Sequence, residues 1–396
     1  MQRDPTAAFA ATLALITLIS PLALHLYLPA LPVVKTELGI SHALAQLTFG
    51  ASLVTMGVAT LAYGSLADRM GRRPTLLAGL AMFVAGSVLS AVAAEIWSLV
   101  AGRIVQAAGA GCSLTLVRTI ARDAYGQDRL VKAIAYLTMC YTMGPIMASV
   151  IGGMLIDAFG WRMLFALAAL LGLLVLGAAL AFLPETRPAE QRAAASGHWL
   201  EAYTALLSHV RFNAFVLQTG LNTSAFMVTA TAASVIVQHD LGRSSAEFGL
   251  FFALFPLGLL AGSAIASRLG GRVAIEAMVL VGSLVLALAV AVQGALLMSG
   301  IITPLTLCLP GFFITFGNGL SIASAQAGAM ATIPRHAGTA AGIGVFMQML
   351  LSGLAVQLYG FLADGSVVPL VLTAGMLAVG TVVAGVLTFL LGTQRA

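Results

Sequence analysis

Apolar runs of about 20 residues or more follow one another along the whole chain, separated only by short turns bearing charges, Pro or Gly. A transmembrane helix needs about 20 such residues, whereas a barrel strand needs about 10 with alternating polarity, and no such alternation is present. Breaks at charges, Pro and Gly give twelve spans: 8–30, 43–63, 75–94, 97–117, 133–156, 162–183, 212–237, 246–267, 273–298, 303–329, 337–362 and 368–391. A soluble fold is excluded, since 60% hydrophobic and 8% charged residues leave too little polar surface to cover such a core. The chain is therefore read as an all-α membrane protein. Its first run is too long for a signal-peptide core and continues to Leu28, so no cleavable leader is expected.

One long polar stretch, 184–211, divides the spans six and six. It predicts an N-terminal bundle over 1–183, a linker, and a C-terminal bundle over 212–396. With the N-terminus in the cytoplasm, 15 of the 19 Lys and Arg face inward. Only Lys35, Arg162 and Arg243 fall outside, and Arg103 lies within a span. Basic residues gathered beside spans set orientation, so the net charge of +5 implies two cytoplasmic termini rather than nucleic-acid binding.

The halves repeat. Arg69-Met-Gly-Arg-Arg73 matches Arg268-Leu-Gly-Gly-Arg272, Gly153-Met-Leu-Ile-Asp157 matches Gly360-Phe-Leu-Ala-Asp364, and Gly109-Ala-Gly111 matches Gly317-Asn-Gly319, all in the same order at offsets near 200. Two parallel six-helix halves related by an axis along the membrane normal follow, with a site expected between them near the midplane.

The chemistry-bearing residues are few. Cys112, Cys140 and Cys308 sit inside apolar runs at no metal-ligand spacing and read as core residues, so no metal site is expected. No nucleophile–base arrangement and no phosphate-binding loop is present, which argues against an enzyme or an ATP-driven pump. All fourteen acids lie in loops or near helix ends. The densest charge is at 64–76, between the second and third spans. There Gly64 admits a close neighbour, Gly71 permits a turn, and Asp68 can pair with an inner-face arginine or a helix N-terminus.

Gly64, Leu66, Ala67, Asp68, Arg69, Gly71, Arg72 and Arg73 together resemble the loop signature of the major facilitator superfamily, a specific match over about ten positions. The resemblance implies a fold of twelve helices in two pseudo-symmetric bundles, alternating access, and a cytoplasmic latch at this loop with Asp123 as a further acid. The second copy carries Ser267 in place of Asp68, so the latch is expected in the first half. Arg103-Ile-Val-Gln106-Ala-Ala-Gly resembles the superfamily's fourth-span pattern with Ala107 where Gly is usual. A charge inside a span costs about 2.5–3.5 kcal/mol, so Arg103 needs a cavity or a partner; the alternative is a snorkel to the outer headgroups. Tyr27-Leu-Pro-Ala-Leu-Pro32 is similar to the bicyclomycin/chloramphenicol-resistance branch of the drug:proton antiporters, with His25 where that branch has an acid. Histidine carries a proton near neutral pH, so His25 reads either as a coupling residue or as a helix cap. His25 and Arg103 both lie in the outer halves of their helices and are expected to face one cavity. The fifth span resembles the antiporter signature, with Gly144-Pro145 one turn before its usual place, Ala148-Ser149 in that place, and Gly152-Gly153 retained.

The superfamily lines its path with spans 1, 4, 7 and 10, which implies Tyr27, Gln106, Gln218, Asn222, Thr223, Asn318, Ser321 and Ser324 as path candidates beside His25 and Arg103, with Gln348 as an addition. The leading expectation is a monomeric bacterial inner-membrane exporter of drug-like or amphipathic small molecules, driven by the proton gradient without a cofactor. With Arg103 as the cavity charge, neutral or weakly anionic substrates are favoured. An uptake carrier or uniporter for a small metabolite, and a non-transporting sensor on the same scaffold, stay open.

Overall fold

Twelve helices long and apolar enough to cross a membrane follow one another in the computed structural model, which describes residues 6–186, 199–333 and 336–393. They are α1 (Ala7–Glu37), α2 (His42–Met70), α3 (Arg72–Ala91), α4 (Ile96–Tyr125), α5 (Lys132–Phe159), α6 (Arg162–Phe182), α7 (Val210–Asp240), α8 (Ser245–Leu269), α9 (Ile275–Met298), α10 (Pro304–Thr332), α11 (Gly338–Leu362) and α12 (Val368–Gly392). No strand occurs among the described residues. Each span overlaps a run read from the sequence, and most extend beyond it, because polar residues continue a helix past the apolar core. Part of the linker is also helical. Trp199–Leu207 forms a short helix whose Tyr203 and Leu206 pack with Phe212, Phe215 and Ile343 of the C-terminal half. Residues 187–198 of the linker, and Arg3, Arg187, Arg192, Arg335 and Arg395 of the charge count, lie outside the described residues.

Packing repeats between the halves. A Cβ on Gly109 would lie 2.5 Å from the Gly79 carbonyl and 2.2 Å from the Phe83 nitrogen. In the second half, a Cβ on Gly317 would lie 2.4 Å from the Gly282 carbonyl and 2.9 Å from the Leu286 nitrogen. Thus α3 packs on α4 as α9 packs on α10, at spacings that leave no space for a side chain. Large apolar residues such as Leu174, Leu288 and Val379 are exposed on α6, α9 and α12, the outward faces that lipid covers.

Glycines line two seams between the halves among the described residues. Along one, α2 meets α11: Gly50 and Gly353 face each other, and Gly57 abuts Met349. Along the other, α5 meets α8 through Gly153 against Ser245 and Gly249 against Ser149.

Helix α1 is broken by its own prolines into Ala7–Thr17, Ile19–His25, a 3-10 turn at Leu28–Ala30, and Leu31–Glu37. Proline has no N–H, so Pro29 and Pro32 deny His25 and Leu28 the donors that would continue the helix. Other helices supply them. The Ser149 hydroxyl of α5 donates to the His25 carbonyl (3.3 Å) and the Ser234 hydroxyl of α7 donates to the Leu28 carbonyl (2.7 Å).

Candidate transport pathway

The charged turn is built on one residue. Gly71, at φ +106°, alone links the end of α2 at Met70 to the start of α3 at Arg72, a conformation that favours glycine. The sharp turn brings Arg72 back over α2, where its buried guanidinium donates to Asp68 (2.8 Å) and to Asp123 at the end of α4 (3.3 Å). Glu185, just past α6, accepts from the backbone N–H groups of Arg72 (2.9 Å) and Arg73 (3.2 Å), so a carboxylate caps the N-terminus of α3. The Arg73 side chain donates to the Leu180 carbonyl (2.8 Å). Arg69 is exposed. Gly64 differs from expectation: a Cβ there would touch only a Thr115 methyl at 3.9 Å, an ordinary contact rather than a close approach. The described partners of this cluster belong to the N-terminal half, so it ties α2, α3, α4 and the end of α6 together. Replacing Glu185 with alanine is expected to cost about 1 kcal/mol, in line with other lost helix caps, and to lower the apparent melting temperature in detergent by a few degrees while the chain still inserts.

Around its break, α1 presents two unlike faces. Its His25 ring lies 6.4 Å from Phe226 of α7 and 6.1 Å from Phe252 of α8, and these rings continue into Phe255. His25 is 5% exposed, and its Nδ1 has no partner among the described residues. This face looks onto the C-terminal half.

The other face belongs to Arg103. Its guanidinium, 1% exposed, donates through Nη1 to the Ala23 carbonyl (2.8 Å) and to Gln106 Oε1 (2.5 Å), and its carbon sits 4.5 Å from the Tyr27 ring centre and 5.8 Å from that of Phe165. Tyr27 in turn bonds Thr48 (2.8 Å), and Gln106 donates to Ser87 (2.8 Å). A void of about 10 Å³ beside this group is lined by residues of α1, α4 and α6 only. Arg103 and His25 therefore do not face one cavity. Two aromatic faces and a carbonyl draw the cation into the N-terminal bundle, on the far side of α1 from the interface.

The C-terminal candidates bond within their own half. Gln218 donates to Ser283 of α9 (2.9 Å), inside its own half, and Asn222 donates to Ser321 of α10 (2.8 Å). Gln218 Oε1, Asn222 Oδ1, Asn318 Oδ1 and Gln348 Nε2 are buried without a partner among the described residues. In α5, Gly144 packs on Pro21 and Gly152 on the Leu26 carbonyl, both of α1, whereas Gly153 meets α8. Pro145 lies inside the helix. The glycines of this stretch thus serve two neighbours at once, one in each half.

The family model described as Major Facilitator Superfamily matches residues 13–356. The chain belongs to the major facilitator superfamily. It is similar to Multidrug resistance protein D of Escherichia coli (29% identical over 96% of each chain) and to the uncharacterized MFS-type transporter YdgK of Bacillus subtilis (28%, over 98% of this chain and 97% of the other). It also resembles Multidrug resistance protein MdtL of E. coli, 31% identical over 60% of each chain. Solved structures with the same fold include the E. coli xylose transporter XylE in a partially occluded inward-open conformation (TM-score 0.75, 14% identical, 96% of each chain) and the POT family transporter PepTSo (TM-score 0.76, 15% identical, 97% of each). The chain is accordingly a superfamily transporter for small molecules, not an enzyme, and a multi-pass inner-membrane protein; such transporters typically need no cofactor.

Two groups, one beside His25 and one in the charged turn, escape sequence reading. Phe248, Phe252 and Phe255 recur at helical spacing and read as ordinary core; only the structure sets Phe252 against His25. Glu185 is 112 residues from Arg73 in sequence, and nothing local marks it as the cap of α3.

Proposed function

We propose that this superfamily member exports drug-like, amphipathic small molecules in exchange for protons, working as a monomer with both termini in the cytoplasm. The bundles 1–183 and 212–396 rock about the linker 184–211, and the Asp68, Arg72 and Asp123 cluster braces the cytoplasmic end of the first bundle. The observation that carries the coupling is the position of His25. It is the titratable side chain of α1 set among Phe226 and Phe252 at the junction of the halves, and its Nδ1 is unpartnered among the described residues. A protonated imidazole needs two acceptors or water, which this apolar nest does not offer while the halves are closed. Proton uptake on His25 therefore favours the separated state, and release favours the closed one. The likeness to two multidrug resistance proteins supports the substrate class.

With Arg103 turned into the N-terminal bundle, the preference for neutral or weakly anionic substrates over dications rests on the aromatic nest and on acids confined to helix ends, rather than on a cavity cation. Asn222, Asn318 and Gln348 supply polar anchors. The test is uptake of phenicols and cationic dyes by proteoliposomes under an imposed pH gradient. Gradient-driven uptake is expected, falling at least tenfold in His25→Ala. Uptake indifferent to the gradient removes the antiport reading, and full gradient-driven uptake by His25→Ala makes that residue structural.

A further inference from the structure

We propose that Asp157 is a positioning residue for transport: it clasps the N-terminus of α8 across the junction of the halves, and the protein opens on that face only when the clasp is released. Asp157 ends α5 in the first half. Its two carboxylate oxygens accept from the backbone N–H groups of Ser245 (3.0 Å) and Ala246 (2.9 Å), the first residues of α8 in the second half. Amides in the first turn of a helix have no acceptor within the helix, and a carboxylate there also meets the positive end of the helix dipole. The helix's own cap, Ser244, takes the Glu247 N–H (3.1 Å) and leaves these two amides to Asp157.

The contact is part of a continuous seam. One turn before Asp157, Gly153 lies so close that a Cβ would be 2.2 Å from the Ser245 carbonyl. The Ser245 hydroxyl donates to Gln238 Oε1 (2.8 Å), Gln238 Nε2 donates to the Ser234 hydroxyl oxygen (3.0 Å), and Ser234 donates to the Leu28 carbonyl. The start of α8 is thereby connected, through α7, to the broken part of α1 three residues past His25.

The repeat supplies an internal control. Asp364 occupies the matching place in the second half, yet its carboxylate accepts from the Ser366 hydroxyl (2.7 Å) and amide (2.9 Å) of its own loop, bonds that hold its acidity above that of an ordinary aspartate. The α2 N-terminus opposite carries a like cap, Ser41, which accepts from Leu44, and there it is Gln357 of α11 that crosses the halves, donating to the Ala43 carbonyl (3.2 Å). Of these two matching acids, Asp157 alone bridges the halves among the described residues. Beside the neutral hydrogen bonds from Ser234 to Leu28 and from Gln357 to Ala43, Asp157 adds a charged clasp to closure on this face, outer in the proposed topology. This inference goes beyond the proposed function and depends on neither the substrate nor the proton.

Spin-label distances test it without any ligand. Labels on Ala94→Cys and Ser299→Cys, in exposed loops of opposite halves on the Asp157 face, report closure in the full chain in nanodiscs, with Cys112, Cys140 and Cys308 changed to alanine. A dominant short distance is expected. Asp157→Ala should raise the long-distance population roughly fivefold or more, the lower range of typical coupling between two states. Asp157→Asn, which retains one acceptor oxygen, should raise it less, and Asp364→Ala not at all. An unchanged distribution in Asp157→Ala overturns the proposal; should that variant not fold, an unchanged distribution in Asp157→Asn does so instead. An equal rise in Asp364→Ala also overturns it, since any loop change would then suffice.

Discussion

Gly153→Leu is expected to reduce transport by tenfold or more while leaving a folded, membrane-inserted protein. At this position the obstacle is backbone. The added Cβ would sit 2.2 Å from the Ser245 carbonyl and 2.8 Å from the Ala246 Cα, atoms that cannot rotate aside as a flexible side-chain end would. Both belong to the opposite half, so the clash exists only while the halves are together on this face. Leucine is a good helix former, and α5 itself gains from the change. Overpacking of a tight contact costs about 1–3 kcal/mol, which acts here on one conformation of the cycle rather than on the fold. A closed state destabilised by that amount loses population by about fivefold to more than a hundredfold, and exchange falls with it. Gly177→Leu is the matched control: nothing lies within 4 Å of a Cβ there, and transport should be unchanged. Proteoliposome flux with melting temperature for each variant decides; a Gly153→Leu protein with ordinary flux would mean that the α5–α8 seam need not close.

Most of the architecture was legible because lipid simplifies the problem. A span needs a length of apolar residues and little else, so twelve runs became twelve helices, and the displaced ends, such as α2 continuing from Tyr63 to Met70, are places where charge continues a helix beyond the hydrocarbon. The repeat was legible for a related reason. Gly109 and Gly317 are glycine because a neighbouring backbone occupies the space of a side chain, and such a requirement leaves its mark in sequence.

Direction was not legible. His25 and Arg103 were placed at similar depth by counting residues along their helices, and depth says nothing of which way a side chain points. The break in α1 at Pro29 and Pro32, and the two aromatic rings that accept the Arg103 cation, set them on opposite faces. The charged turn raised the matching difficulty: the spacing of Asp68 and Arg72 announces an ion pair within one turn of chain and the family resemblance implied Asp123, whereas Glu185 joins the same cluster from the far end of α6. Partners brought by tertiary packing carry no local pattern.

The strongest test of that division of roles falls on Arg103. Arg103→Ala is expected to deplete folded protein severely, since it empties a fully buried site among Ala23, Tyr27, Gln106 and Phe165. Truncating a large core side chain to alanine costs about 3–5 kcal/mol, and here the Gln106 carbonyl oxygen loses its donor as well. Arg103→Met separates volume from charge. No carboxylate is among the described partners of the guanidinium, whose Nε and Nη2 are unpartnered among the described residues, so an apolar side chain of similar size fills the site while removing the cost of burying an unpaired charge. If Arg103 acts by filling and bracing the N-terminal bundle, Arg103→Met should fold with a melting temperature within a few degrees of the unmodified chain and retain gradient-driven flux within about threefold. A protein that folds equally well yet carries no substrate would show instead that the positive charge is needed for transport, and would return Arg103 to the pathway. Fluorescence size-exclusion yield, melting temperature and flux, read together on both variants, distinguish the two: loss of yield in alanine with flux kept in methionine is the result that the aromatic enclosure of Arg103 requires.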